Sequence, residues 1–193
     1  LDLDYQSILQ EELIKRMNET ESKSAMGLIM NPQSGAILAM SSVPSYDNNN
    51  FSKYSISQHH SKVLTDQFEP GSTFKLMTMI AALEDGLIKP TDSVDTENGI
   101  LKFYNKYEVK DSNRRGYGKI TAARAFEVSS NTGIVKLIYD NYKDNPERIV
   151  DRLINMKIDR KIGVDILGEG EPKIPHPSDD NWNGISLPWM AFG

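Results

Sequence analysis

Glu69-Pro70-Gly71-Ser72-Thr73-Phe74-Lys75 decides how the rest of the chain is read. A Pro-Gly pair breaks the backbone, a serine follows at once, and a lysine stands three residues later. From Ser72 to Leu83 the sequence reads as a helix, because Phe74, Leu76, Met77, Met79, Ile80, Ala81, Ala82 and Leu83 leave almost no polar face. A helix apolar nearly all round belongs in a core, and Gly86 stands where glycine commonly ends one. Positions three apart share a helix face. The Lys75 amine can therefore reach the Ser72 hydroxyl, which is the geometry a lysine-activated serine nucleophile needs.

Length and composition narrow what this helix can serve. A chain of 193 residues suggests one domain with a real core. Its 22 basic against 27 acidic residues make it mildly acidic, which argues against nucleic acid as a partner. The absence of cysteine excludes disulfides and thiolate chemistry. No apolar run approaches a membrane span, and no signal peptide is visible. Both ends read as cut from a longer protein.

Working outward, Asp4 to Met17 carries Tyr5, Ile8, Leu9, Leu13 and Met17 at helical spacing, with Asp4 as N-cap. Ala25–Met30 and Ala36–Met40 flank Asn31-Pro32-Gln33-Ser34-Gly35 and predict a β-hairpin, apolar enough to be covered on both faces. Ser41 to Asp66 is polar and irregular, a long loop with one short helix. Its His59-His60 pair invites a metal reading, which fails because neighbouring residues point apart and no third ligand is suitably spaced. No metal or cofactor is expected.

Val94 to Val109 predicts short strands around Asn98-Gly99. Arg114-Arg115-Gly116-Tyr117-Gly118 is a surface loop that matches no phosphate-cradling motif. Ile120 to Phe126 opens a helix with Thr121 as cap. Ile134 to Ile138 begins another after the small polar break Ser129-Ser130-Asn131-Thr132-Gly133, and Asn145-Pro146-Glu147 starts a third. Gly163 to Trp189, rich in glycine, proline and acid, reads as surface loop with short extended pieces.

Serine-x-x-lysine alone is common, and a capping serine with an exposed lysine explains it. Ser129-Ser130-Asn131 alone reads more simply as the cap of the next helix. The pair is more specific: Ser72-Thr73-Phe74-Lys75, then Ser129-x-Asn131 beginning 54 residues after Lys75, match the first two signatures of the penicillin-recognising serine acyltransferases. The flanks extend the match. Leu1-Asp2-Leu3-Asp4 with Gln6, Asn31 to Met40 with Val43-Pro44-Ser45-Tyr46-Asp47, Phe68 to Lys75, and Gly163 to Glu169 resemble class B penicillin-binding protein transpeptidase domains in register.

That resemblance implies an α/β fold of the α+β type, the penicillin-binding protein/serine β-lactamase-like transpeptidase fold: an antiparallel sheet with helices on both faces. It implies a D,D-transpeptidase that cross-links peptidoglycan stem peptides ending in D-Ala-D-Ala, is acylated by β-lactam antibiotics, and works with division or elongation proteins. It would lie outside the cytoplasmic membrane, anchored by an N-terminal segment. By motif, Ser72 would be the nucleophile and Lys75 the base. Ser129 would relay a proton, and Asn131 would hold the substrate amide.

One part of the pattern is missing. The family's third motif, Lys-Thr-Gly or Lys-Ser-Gly, lies on a strand that supplies an oxyanion N–H, and this chain has none. Lys161-Ile162-Gly163 lacks the hydroxyl and falls in a segment that matches elsewhere. The expectation is that residues 1–193 are the N-terminal and central part of one transpeptidase domain. Alone they should show little transpeptidase activity, and they should tend to self-associate through an uncovered strand edge and helix face. A class D β-lactamase-like hydrolase also uses Ser-x-x-Lys, but its second motif usually ends in a hydrophobic residue. A β-lactam-binding sensor domain shares the fold.

Overall fold

The computed structural model describes residues 1–54, 59–166 and 168–193, which fall into two compact units: Leu1–Gln67 with Lys161–Glu171, and Phe68–Arg160 with Pro172–Gly193.

In the first unit, helix α1 spans Leu3–Glu19. Its cap is Asp2 and not Asp4. The Asp2 carboxylate accepts from the Asp4 and Tyr5 N–H groups at 3.0 and 3.2 Å, which satisfies two of the helix's orphan donors. Gln6, Leu9, Leu13 and Met17 are half-buried, while Tyr5 and Ile8 stay exposed. Strands β1 (Ala25–Met30) and β2 (Ile37–Val43) form the expected antiparallel hairpin. Asn31 shapes its turn by accepting from Gln33 and Ser34 N–H through its side chain. Gly27 is small because α1 lies on it: a Cβ there would stand 2.9 Å from Leu9 Cδ1. The Gln6 amide pairs with both backbone groups of Met40 at 2.8 and 3.0 Å, tying α1 to β2.

Two expectations change here. β2 runs on to Val43, so Ser41 and Ser42 belong to the strand and not to the loop. The hairpin is not covered throughout, since Leu28 and Met30 are 42% and 51% exposed. Beyond it, the predicted loop holds two short helical stretches: a 3-10 turn at Asn48–Lys53 capped by Asp47, and α2 at Lys62–Thr65. Residues 55–58 of that loop lie outside the described residues. His59 stacks on Phe51 with ring centroids 3.6 Å apart. Residues 161–171 return to this unit, where Gly170 N–H meets the Leu64 carbonyl at 2.8 Å.

The second unit begins with a 3-10 turn, Gly71–Phe74, that runs into helix α3, Lys75–Glu84. The predicted helix is present, but its first turn is tighter and Ser72 sits on that turn. Gly86, at φ 69°, closes the helix, with Gly86 and Leu87 N–H reaching back to Leu83 and Ala82. Burial is one-sided: Lys75, Thr78, Met79, Ala81 and Ala82 are buried, whereas Leu76 and Leu83 are 45% and 39% exposed.

Strands β3 (Ser93–Asp95), β4 (Ile100–Phe103), β5 (Tyr107–Lys110) and β6 (Lys119–Thr121) follow, paired antiparallel as β3–β6 and β4–β5. Helix α4 (Ala122–Glu127) has Thr121 as cap, bonded to Arg124 N–H at 3.1 Å. Helix α5 spans Asn131–Tyr142, α6 Glu147–Asn155 and α7 Ser186–Met190. α7 replaces the loop expected there, because Leu187 and Ala191 are drawn into the core and Thr78 donates to the Ala191 carbonyl at 3.0 Å.

α5, and not α3, is the centre of this unit. Ile134, Val135, Leu137, Ile138 and Tyr142 are buried on it, and α3, α4 and α7 pack around it. Behind them, Asp85 is bonded by the Tyr142 hydroxyl (2.8 Å), Arg148 (3.0 Å) and Arg152 (2.7 Å), joining the end of α3 to α5 and α6. Burial pushes the Asp85 carboxyl up, but these donors together hold it below the usual carboxylate value. Among the described residues, no helix is long and apolar enough to cross a membrane.

Candidate active site

Four sequence-selected residues meet in the second unit around one amine. Lys75 Nζ lies 3.1 Å from Ser72 Oγ, 2.9 Å from Ser129 Oγ, 2.7 Å from the Ser129 carbonyl oxygen and 2.5 Å from Asn131 Oδ1. Ser72 and Ser129 are exposed and Lys75 is 1% exposed, so the hydroxyls face solvent while the base stays dry. Burial lowers the Lys75 amine from 10.5 to about 8, against the smaller opposing effect of the Asp111 charge.

The partners fix what the amine can do. The Ser129 carbonyl and the Asn131 amide oxygen can only accept. They take up the two N–H bonds of a neutral amine and leave its lone pair to the hydroxyls. A protonated amine has a third N–H, which a serine oxygen can accept. The set therefore holds both charge states, as a proton acceptor requires. Ser129 reaches Ser72 only through Lys75: among the described residues no hydrogen bond joins the two hydroxyls directly.

Backbone geometry explains how Ser129 gets there. α4 ends in a Schellman motif, with Ser130 N–H bonded to the Ala125 carbonyl at 2.9 Å and Ser129 N–H to the Phe126 carbonyl at 3.0 Å. The residue between helix and exit takes a left-handed conformation, normally a glycine's place, and Ser129 occupies it at φ 54°. One residue on, Ser130 caps α5 by accepting from Gly133 N–H at 2.9 Å. The capping explanation of this stretch is thus correct for Ser130, while Ser129 is held with its carbonyl and hydroxyl on Lys75. Such a conformation costs a non-glycine residue about 1–2 kcal/mol. Ser129→Gly is expected to stabilise the fold by about 1 kcal/mol in urea unfolding. A variant less stable than the wild type would contradict this.

Asn131 Nδ2 donates to the Lys110 carbonyl at 2.8 Å. With Oδ1 on Lys75, one N–H remains for a substrate carbonyl. The Ser72 N–H precedes the first hydrogen-bonded residue of the turn and meets no acceptor among the described residues, as expected of the first donors of a helix.

The sequence reading missed Asp111, 5% exposed, directly after β5. Its carboxylate accepts from Ser130 Oγ at 3.0 Å, Thr132 Oγ1 at 2.9 Å and Thr132 N–H at 2.9 Å. β5 is aimed at this point by two glycines in close contact. A Cβ on Gly116 would stand 2.5 Å from the Glu97 carbonyl oxygen, and the Gly99 carbonyl accepts from Asp111 N–H at 2.9 Å. No local motif marks Asp111, because all its side-chain partners lie 19 or 21 residues away.

Comparison with known proteins places the chain in a family. Residues 25–193 match the family model of the penicillin binding protein transpeptidase domain. The chain is 27% identical over 193 residues to peptidoglycan D,D-transpeptidase FtsI of Escherichia coli, covering all of this chain and 31% of that protein. It is 29% identical over 193 residues to the probable peptidoglycan D,D-transpeptidase PbpC of Pseudomonas aeruginosa, covering all of this chain and 33% of that protein. The crystal structure of a peptidoglycan synthetase from Bifidobacterium adolescentis superimposes with a TM-score of 0.82 at 26% identity, covering all of this chain and 34% of that one. The chain thus spans about a third of the length of these relatives. With 169 of its residues inside the family model, the chain belongs to the penicillin-binding protein transpeptidase family.

Proposed function

We propose that this chain carries the nucleophile, base and proton relay of a peptidoglycan D,D-transpeptidase, as the N-terminal and central part of its transpeptidase domain. The observation that carries the reading is the buried Lys75 amine within hydrogen-bond distance of two exposed serine hydroxyls, Ser72 and Ser129.

The steps follow from the donor inventory. Neutral Lys75 takes the Ser72 proton as Ser72 Oγ bonds to the carbonyl carbon of the penultimate D-Ala. The Ser72 N–H and the helix dipole behind it favour the oxyanion. The peptide C–N bond then breaks. The departing D-Ala amine receives a proton from Ser129 Oγ, which is refilled from the Lys75 ammonium. An acceptor stem-peptide amine reverses the sequence: it attacks the Ser72 ester and gives one proton through Ser129 to Lys75, and as the ester C–O bond breaks the Lys75 ammonium returns that proton to Ser72 Oγ. Asn131 uses its spare N–H to orient the substrate amide. A β-lactam enters by the same first step, since its strained amide opens without releasing a fragment.

On this reading the substrate side lies outside the cytoplasm, with a membrane anchor and division or elongation proteins as partners of the whole protein. The strand bearing Lys-Thr-Gly would supply the second oxyanion N–H from beyond these 193 residues. Losing one such donor costs about 10²–10³ in rate.

The test is covalent labelling by a fluorescent penicillin. The full gene product should take one label per molecule, on the peptide containing Ser72. The 193 residues alone should label at least about 10²-fold more slowly. A gene product that takes no label, or takes it on another peptide, overturns the proposal.

A further inference from the structure

The carboxylate of Asp111 is buried, and among the described residues no arginine or lysine forms an ion pair with it. Burying a charge is costly unless it is well bonded, so what this one secures is informative. It grips Ser130 and Thr132, the two residues on either side of Asn131, the first of them directly after Ser129. The neighbouring Lys110 carbonyl holds the Asn131 amide itself. The end of β5 therefore clamps the α4–α5 junction from behind, while Ser129 and Asn131 face Lys75 in front. α5 already has a cap at Ser130, so helix capping alone leaves this clamp only partly explained.

We propose that Asp111 is a positioning residue for the Ser72 chemistry, holding Ser129 and Asn131 in register about the Lys75 amine. This rests on the assignment of Ser72 as nucleophile. Asp111 touches no reacting atom; it acts through the residues it clamps. Its charge has a second consequence. It is the charged group whose field acts on Lys75, and it favours the ammonium that forms when Ser72 loses its proton.

The two contributions separate in two variants of the full gene product, followed by the rate of fluorescent-penicillin acylation against pH. Asp111→Asn keeps an acceptor for Thr132 N–H but removes the charge. The rising limb of its profile should move to lower pH, because the charge that favours the ammonium is gone, with a plateau within about tenfold of wild type. Asp111→Ala removes the whole clamp, and its plateau should fall about 10–100-fold, the range for residues that orient reacting groups. The residual label should remain on Ser72.

A folded Asp111→Ala that melts earlier but acylates with the wild-type rate and pH profile would make Asp111 a structural cap and overturn the proposal. If Asp111→Ala does not fold, Thr132→Val, which removes one hydroxyl from the carboxylate's grip, decides: a lowered plateau with the label still on Ser72 supports the proposal, and a wild-type plateau overturns it. Failure of the wild-type protein to label defeats the nucleophile assignment itself, a different outcome from either.

Discussion

Ser72→Ala should abolish penicillin capture, lowering the acylation rate by about 10⁶, the order seen when a hydrolase loses its serine. The site leaves no easy substitute. Thr73 is next in sequence, but its hydroxyl donates to the Pro70 carbonyl at 2.7 Å. Ser129 is the serious rival, since it is exposed and its Oγ lies 2.9 Å from the same amine. Ser129 differs in standing on a left-handed junction between two helices, whereas the Ser72 N–H, on a turn that runs into α3, meets no acceptor among the described residues. A tetrahedral oxyanion formed on Ser72 would meet that N–H. Because Ser72 is exposed, the alanine variant should keep its stability within about 0.5 kcal/mol. Mass mapping of the labelled peptides separates the two serines. Loss of label with an unchanged melting curve fits the assignment, and a label that moves to Ser129 would falsify it.

Ser72 and Lys75 were legible in the sequence because their relation is local. A three-residue spacing at a helix start puts two side chains on one face whatever surrounds them. The Thr121 cap, the Gly86 stop and the Asn145-Pro146-Glu147 start were legible for the same reason: each satisfies backbone groups within a few residues. The misses are tertiary. Asp2 caps α1 while its own N–H bonds the Leu38 carbonyl. Ser41 and Ser42 look like loop but are drawn into β2 by pairing with Gly27 and Met26. α7 forms around Pro188 because the core recruits Leu187 and Ala191. The run from Phe74 to Leu83 looks apolar all round, yet Leu76 and Leu83 face outward, and composition cannot say which side of a helix a fold covers. Asp111 is the clearest case. Its neighbours Lys110 and Ser112 are polar, so nothing local separates a buried clamp from a solvated acid.

Lys75→Met should lower activity less than Ser72→Ala does, and it is far more informative about why the amine is buried. Removing a general base typically costs about 10²–10⁴ in rate, and methionine leaves nothing to take the Ser72 proton. In the wild-type protein the base must be neutral. With the amine at about pH 8, acylation should rise roughly tenfold from pH 7 to pH 9; the methionine variant should show no such limb.

Stability moves in a linked way. The Lys75 pKa is lower in the folded chain than in the unfolded one, so between about pH 8 and pH 10.5 the unfolded state binds the extra proton. Stability must therefore rise with pH across that window. The buried ammonium imposes its full cost below pH 8, and the wild-type protein should gain up to about 3 kcal/mol relative to Lys75→Met on going to pH 10.5. Methionine strands the Ser129 carbonyl and the Asn131 amide oxygen at about 1–3 kcal/mol each. At pH 7 these losses offset relief of the buried charge, leaving the two proteins similar in stability. Urea unfolding of both at pH 7 and pH 10 measures the difference directly. A gap that stays constant with pH would mean that Lys75 keeps an ordinary amine in the folded chain. A wild-type acylation profile flat from pH 7 to pH 9 would then remove Lys75 as the base.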